Sequence, residues 1–128
     1  MRFASLGSGS RGNALVVEAG ATCLLLDCGF GPREIAVKLN RLGLSPEVLS
    51  GILVTHEHSD HVGCAHKLAL RHRLPVWMSD GTWHASGGHD YGGLLRFAVS
   101  GQPIELEGLQ IGPIAVPHDA QEPLQLTC

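Results

Sequence analysis

The chain has 128 residues, room for one domain at most, since domains usually run to roughly 100–200 residues. Nine Lys and Arg against twelve Asp and Glu leave a formal charge of −3, which excludes the bulk basic field that drives nonspecific nucleic-acid binding. With 44% hydrophobic residues a packed core is within reach and wholesale disorder is excluded. Nothing approaches the roughly 20 apolar residues of a membrane span, and the N-terminus lacks the apolar stretch of a secretory signal. Four cysteines without a framework spacing suit a reducing compartment, so the expectation is a soluble cytoplasmic chain without a membrane partner. The unusual count is eight histidines, more than a small core needs.

In chain order, residues 2–6 predict an edge strand and 14–18 a second strand, separated by the turn-rich stretch Gly7-Ser8-Gly9-Ser10-Arg11-Gly12-Asn13. Residues 22–27 predict a third strand, and Cys23-Leu24-Leu25-Leu26 is apolar without alternation, as in a strand buried on both faces. Pro32 suits the first turn of a helix whose inward positions are Ile35, Leu39 and Leu42 and whose stop is Gly43. Ser45-Pro46-Glu47 caps a short turn, and Ile52-Leu53-Val54 is a buried strand. One helix is expected over 62–71 with Ala65, Leu68 and Ala69 inward and Lys67 and Arg71 outward. Strands follow at 75–78, 94–99, 104–106 and 109–116, with Glu107-Gly108 as a hairpin turn; residues 79–93 carry no clear pattern. Strands alternating with helices point to an α/β layered domain. The last residues, Pro123 to Cys128, read as a strand just beginning, so residues 1–128 are expected to be a single domain cut short at its C-terminal side.

Gly7-Ser8-Gly9-Ser10-Arg11-Gly12 matches the glycine fingerprint for dinucleotides, but that fingerprint needs a helix at its end to meet the pyrophosphate. Asn13-Ala14-Leu15-Val16-Val17 favours a strand instead. The glycines are expected to supply positive φ angles, and no nucleotide cofactor is expected.

Thr55-His56-Glu57-His58-Ser59-Asp60-His61 places three histidines and an aspartate within six residues, directly after a buried strand. In an extended segment His56, His58 and Asp60 project to one side, and a turn into the following helix would swing His61 beside them. Imidazoles with carboxylates suit Zn²⁺, with Mn²⁺ or Fe²⁺ as alternatives. Two ions are more natural than one: His56 and His58 for the first, Asp60 and His61 for the second. The competing reading is a solvated loop that happens to be rich in histidine.

This His-x-His-x-Asp-His run resembles the signature of the metallo-β-lactamase fold superfamily. Ser5 to Asn13, Leu26-Asp27-Cys28-Gly29-Phe30, Leu53 to His61, Gly81-Thr82-Trp83 and Pro117 to Pro123 occur in the order of its YycJ (WalJ) branch. The resemblance implies an α/β fold, an αββα sandwich of which this chain holds the N-terminal half. It also implies that His56, His58 and His118 hold the first metal, and that Asp60 and His61 belong to the second. Asp27 matches a buried aspartate that holds the histidine loop from beneath; simple turn initiation before Gly29 is its alternative. The superfamily's bridging aspartate and last histidine ligand are expected beyond residue 128.

The branch is assigned to DNA exonucleases or, more broadly, to metal-dependent hydrolases. The expected chemistry is phosphodiester hydrolysis by water whose pKa the metals, two zinc ions in a complete site, lower towards about 7. Asp60 would orient the resulting hydroxide as the catalytic residue, and DNA would be the substrate. Hydrolysis of a small thioester or lactone is the alternative, mildly favoured by the −3 charge; a noncatalytic metal-binding fragment is the third reading. His66, His72, His84 and His89 are expected to be surface or polar-core residues. The cysteines are expected to be buried or incidental; for Cys64, three residues after His61, reach to the second site is the alternative. Oligomeric state is not legible.

Overall fold

The computed structural model describes residues 1–9, 11–106, 109–115 and 124–127, leaving aside the side chains of Asp60 and of everything from 113 onward. Six strands form one mixed sheet in sequential order: β1 (Arg2–Gly7), β2 (Ala14–Ala19), β3 (Thr22–Leu26), β4 (Gly51–Leu53), β5 (Val76–Met78) and β6 (Leu95–Phe97). β1, β2 and β3 are antiparallel, joined by hairpins, with Ala19 opposite Thr22 across a tight turn in which Gly20 takes φ +60°. From β3 onward every pairing is parallel, so each connection must cross over the sheet, and helices supply the crossovers. A second, antiparallel sheet contains β7 (Ile104–Leu106), β8 (Leu109–Ala115) and β9 (Leu124–Thr127).

The two faces of the large sheet are filled from different directions, and strand alternation decides which residue goes where. Leu25, Ile52 and Val76 face α1 (Pro32–Asn40) and α3 (Ala65–His72), meeting Ile35, Leu39, Ala65, Leu68 and Ala69. Val17, Leu24 and Leu53 face the other way, onto Ile104, Leu109 and Ile111 of the second sheet. Leu24 and Leu25 are therefore both fully enclosed although they are neighbours, which is why β3 reads as an unbroken apolar run. Each such fully buried leucine contributes about 1.5–3 kcal/mol relative to an exposed one.

Four local readings need correction. Leu42 is 44% exposed, because α1 ends at Asn40 and the chain has already left the helical stripe before Gly43. The expected helix over 62–71 is two: α2 (Ser59–Val62) and α3, broken at Gly63 and Cys64. The break has a steric cause. Gly63 takes φ +36°, and a Cβ there would lie 2.1 Å from the Cys28 carbonyl oxygen. Residues 79–93 contain α4 (Asp80–Ala85), started by Ser79, whose hydroxyl accepts the Thr82 N–H at 3.1 Å. In the fingerprint-like stretch, Gly9 takes φ +121°, but Gly7 and Gly12 serve a different end: a Cβ at either would strike the Phe30 ring at 2.5–2.6 Å. The strand β2, not a helix, follows them. The turn residues Glu107 and Gly108 lie outside the described residues.

Candidate metal centre

The site grows from the carboxyl ends of two adjacent parallel strands, β3 and β4. Asp27 follows β3 with φ +62°, a left-handed conformation that costs a non-glycine residue roughly 1 kcal/mol and is tolerated best by Asp and Asn. Its backbone N–H donates to the Leu53 carbonyl at 2.7 Å, so the parallel ladder continues one residue past the strand and turns the side chain under the next loop. Asp27 is buried, and its carboxylate is surrounded by donors. Thr55 N–H reaches Oδ1 at 2.7 Å, the Thr55 hydroxyl reaches both oxygens at 3.0 and 2.9 Å, and His61 Nδ1–H reaches Oδ2 at 2.7 Å. A buried carboxylate would be costly without these bonds; with them it becomes the fixed point of the loop.

The same bonds select tautomers. Asp27 accepts only, so His61 carries a proton on Nδ1, which in the neutral ring leaves the lone pair on Nε2. The Thr55 hydroxyl spends its one proton on Asp27. Its oxygen therefore accepts from His56 Nδ1 at 3.0 Å, and His56 likewise keeps its lone pair on Nε2. The His56 ring centroid lies 4.8 Å from that of His58, at an interplanar angle of 84°, and 3.8 Å from that of His61, at 43°.

His58 ends the extended segment and α2 begins at Ser59, so Asp60 and His61 belong to a helical turn. The expectation that Asp60 shares an extended strand with His56 and His58 is thereby corrected: His61 N–H and Val62 N–H both bond back to the His58 carbonyl, at 2.8 and 2.9 Å. The side chain of Asp60, and His118 and Asp119 entirely, lie outside what the structure describes. Among the described residues no three His, Cys, Asp or Glu donors close tightly on one point. The structure thus brings together Asp27, His56, His58 and His61 of the expected set. An open cavity of about 300 Å³, lined by Ser5, Gly7, Ser8 and Asn13 as well as Asp27, Thr55 and His61, gives access to this polar cluster.

Two contributors escape the sequence reading. Thr55 lies inside the histidine run, yet no spacing rule distinguishes a threonine that bridges a carboxylate and an imidazole from any other strand-end threonine. Asn13 ties the β1–β2 loop into a ring, its Oδ1 accepting from Gly9 N–H at 3.0 Å and its amide donating to the Gly9 carbonyl at 2.8 Å. Asn13 O in turn accepts from Gly29 N–H at 3.0 Å, fastening that loop to the segment after Asp27. Cys64 does not stand alone by the histidines: its Sγ is 3.1 Å from Cys28 Sγ. The bond between them and burial push the Cys28 thiol far above its ordinary value, and the same bond draws Cys64 down.

The sequence profile of the Metallo-beta-lactamase superfamily matches residues 7–126. Exodeoxyribonuclease YycJ of Bacillus anthracis is 35% identical over 128 residues, covering 97% of this chain and 48% of that protein. Exodeoxyribonuclease WalJ of Streptococcus pneumoniae is 31% identical over 127 residues, covering 95% of this chain and 47% of that protein. The chain therefore spans about half the length of the curated relatives it matches. Among solved structures, MEM-A1, a subclass B3 metallo-β-lactamase from a soil metagenome library, superimposes with a TM-score of 0.77 at 24% identity over 97% of this chain and 53% of that one, a likeness of fold. The fold implies a divalent metal. The donor chemistry fits one: two imidazoles hold their protons on Nδ1 against oxygen acceptors, the arrangement that presents Nε2 as a ligand.

Proposed function

Because this chain belongs to the metallo-β-lactamase superfamily, we propose that its histidine loop is part of a metal-dependent hydrolytic centre that, in the whole protein, cleaves phosphodiester bonds in DNA as a cytoplasmic exonuclease. One observation carries the site: the buried Asp27 carboxylate holds His61 directly and His56 through Thr55, in the tautomer a metal ligand requires. The choice of DNA rests on the two exodeoxyribonuclease relatives at 31–35% identity, whereas the β-lactamase likeness speaks for fold alone.

In this reading His56, His58 and His118 hold one zinc ion, and Asp60 and His61 contribute to a second. Divalent ions so held lower the pKa of water and neutralise charge on a phosphoryl oxygen. The chain's own residues do the rest. Asp27 keeps the proton on His61 Nδ1, Thr55 keeps the proton on His56 Nδ1, and both rings are thereby fixed in rotation as well as protonation. Asp60 orients the attacking water. The ring-closed loop at Gly9 and Asn13 borders the open cavity, so a strand end reaches the histidines past backbone and small side chains.

The test is metal content per chain by mass spectrometry, for the parent and for His118→Ala, paired with degradation of duplex and nicked DNA and with hydrolysis of a generic thioester. About one zinc per chain, lost in His118→Ala, is the expected result for this chain, with DNA degraded by the whole protein. Turnover of the thioester with DNA left intact would replace the nuclease reading by a small-ester hydrolase. Metal bound with nothing turned over would leave a binding module.

A further inference from the structure

Cys28 and Cys64 form a buried thiol pair in the seam between the end of β3 and the start of α3. Their sulfurs are 3.1 Å apart, about 1 Å more than a disulfide bond of roughly 2.05 Å. The backbone clamps the pair: Cys64 N–H donates to the Cys28 carbonyl at 3.0 Å, and Cys28 N–H donates to the His61 carbonyl at 2.7 Å. Gly63 makes this approach feasible, since any Cβ there would strike the Cys28 carbonyl oxygen. The two sulfurs differ in access. Cys28 is wholly enclosed, whereas Cys64 is 7% exposed and borders an open groove of about 410 Å³ with Phe30, Gly63, His66 and Lys67.

We propose that Cys28 and Cys64 are a reversible disulfide site, with Cys64 reacting first with a small peroxide and Cys28 resolving it. Cys64 Sγ attacks one peroxide oxygen, the O–O bond breaks, and the leaving hydroxide departs as water with the thiol proton, leaving a sulfenic acid. Cys28 Sγ then attacks Cys64 Sγ, the S–O bond breaks, and a second water carries away the Cys28 proton. Two thiols lose two electrons in all and the peroxide gains them. The groove admits a molecule of this size to Cys64 and not to Cys28, which fixes the order. The disulfide would fasten the segment after Asp27 to the turn after His61, and it stands whatever substrate the histidine loop serves.

The experiment uses the reduced protein, exposed to hydrogen peroxide, denatured, alkylated, digested and mapped by mass spectrometry. A linked peptide joining Cys28 to Cys64, two hydrogens lighter than its reduced parts and dissolved by dithiothreitol, is the expected result. Cys28→Ala should stop at a sulfenic acid on Cys64 that dimedone captures, and Cys64→Ser should leave Cys28 unmodified. Full alkylation of both cysteines after peroxide, a link to Cys23 or Cys128 instead, or dimedone label on Cys28 in Cys64→Ser overturns the proposal. The parent map decides alone if either variant fails to fold.

Discussion

Two groups of histidines meet in this molecule, and they are built in opposite ways. His56, His58 and His61 lie within six residues; the His56 ring is inclined to the other two, and His61 is anchored through Nδ1 to a buried carboxylate directly, His56 through Thr55. His66 and His89 come from distant segments and stack almost parallel, at 18° and 4.8 Å. His66 Nε2 donates to the backbone carbonyl of Asp90 at 2.8 Å, and Tyr91 meets its ring edge-on. A carboxylate behind an imidazole raises its basicity and aims its far nitrogen. Parallel stacking uses the ring faces, and here His66 spends its Nε2 on a backbone carbonyl. A count of histidines treats the two groups alike; the partner of each ring and the angle between rings separate them.

The sharpest way to break that contrast is to remove one ring from each group. His56→Ala should abolish stoichiometric zinc binding, while His66→Ala and His89→Ala should leave metal content unchanged, all read by mass spectrometry on dialysed protein. Zinc loss in either of the latter two would merge the groups into one site. Next in size is the turn that carries His61 towards Cys64. Gly63→Ala places a Cβ on the Cys28 carbonyl oxygen at φ +36° and should destabilise the fold by about 3 kcal/mol or more in urea unfolding. An unchanged midpoint would show that the break between α2 and α3 is dispensable.

Legibility in the sequence follows the same division between local and long-range causes. The strands from β1 to β5 are readable because apolar runs, the hairpin at Gly20 and Pro32 at a helix start are local signals, whereas their order in the sheet is not. The break at Gly63 is not, since its cause is a carbonyl thirty-five positions earlier, at Cys28. Likewise, the run from His56 to His61 can be picked out from residue types, whereas Asp27 enters only through the family resemblance. Thr55 as their bridge, and Cys28 beside Cys64, arise only when β3 and β4 lie side by side. The turn at Asp60 escapes because a four-residue helix has no period to detect.

Asp27→Asn isolates the charge behind the first group. Asn tolerates the left-handed backbone at this position and preserves the size of the side chain. Fold stability should fall by about 1–3 kcal/mol, because the Asn amide nitrogen cannot accept from the donors that face one of the two carboxylate oxygens, while zinc affinity in a chelator competition should fall about ten- to a hundredfold, the usual effect of losing a carboxylate behind a ligating imidazole. Equal affinity would mean that Asp27 serves backbone geometry alone, and the contrast between the two groups would then rest on ring angles.

The smallest effect belongs to the second group and reads as stability. Tyr91 is 3% exposed, and burial, followed by the nearby Cys28, pushes its phenol up to about 12 from the usual 10. The folded state therefore holds the phenolic proton more tightly than the unfolded chain does. The resulting stability is fully present below pH 10 and is lost as pH rises through about 12, amounting to about 1 kcal/mol by pH 11. Tyr91→Phe should unfold with a weaker pH dependence between 10 and 12 in denaturant titrations at fixed pH. A parent and variant with parallel curves would place the Tyr91 ring in solvent and remove the edge-on contact that holds His66 in its stack.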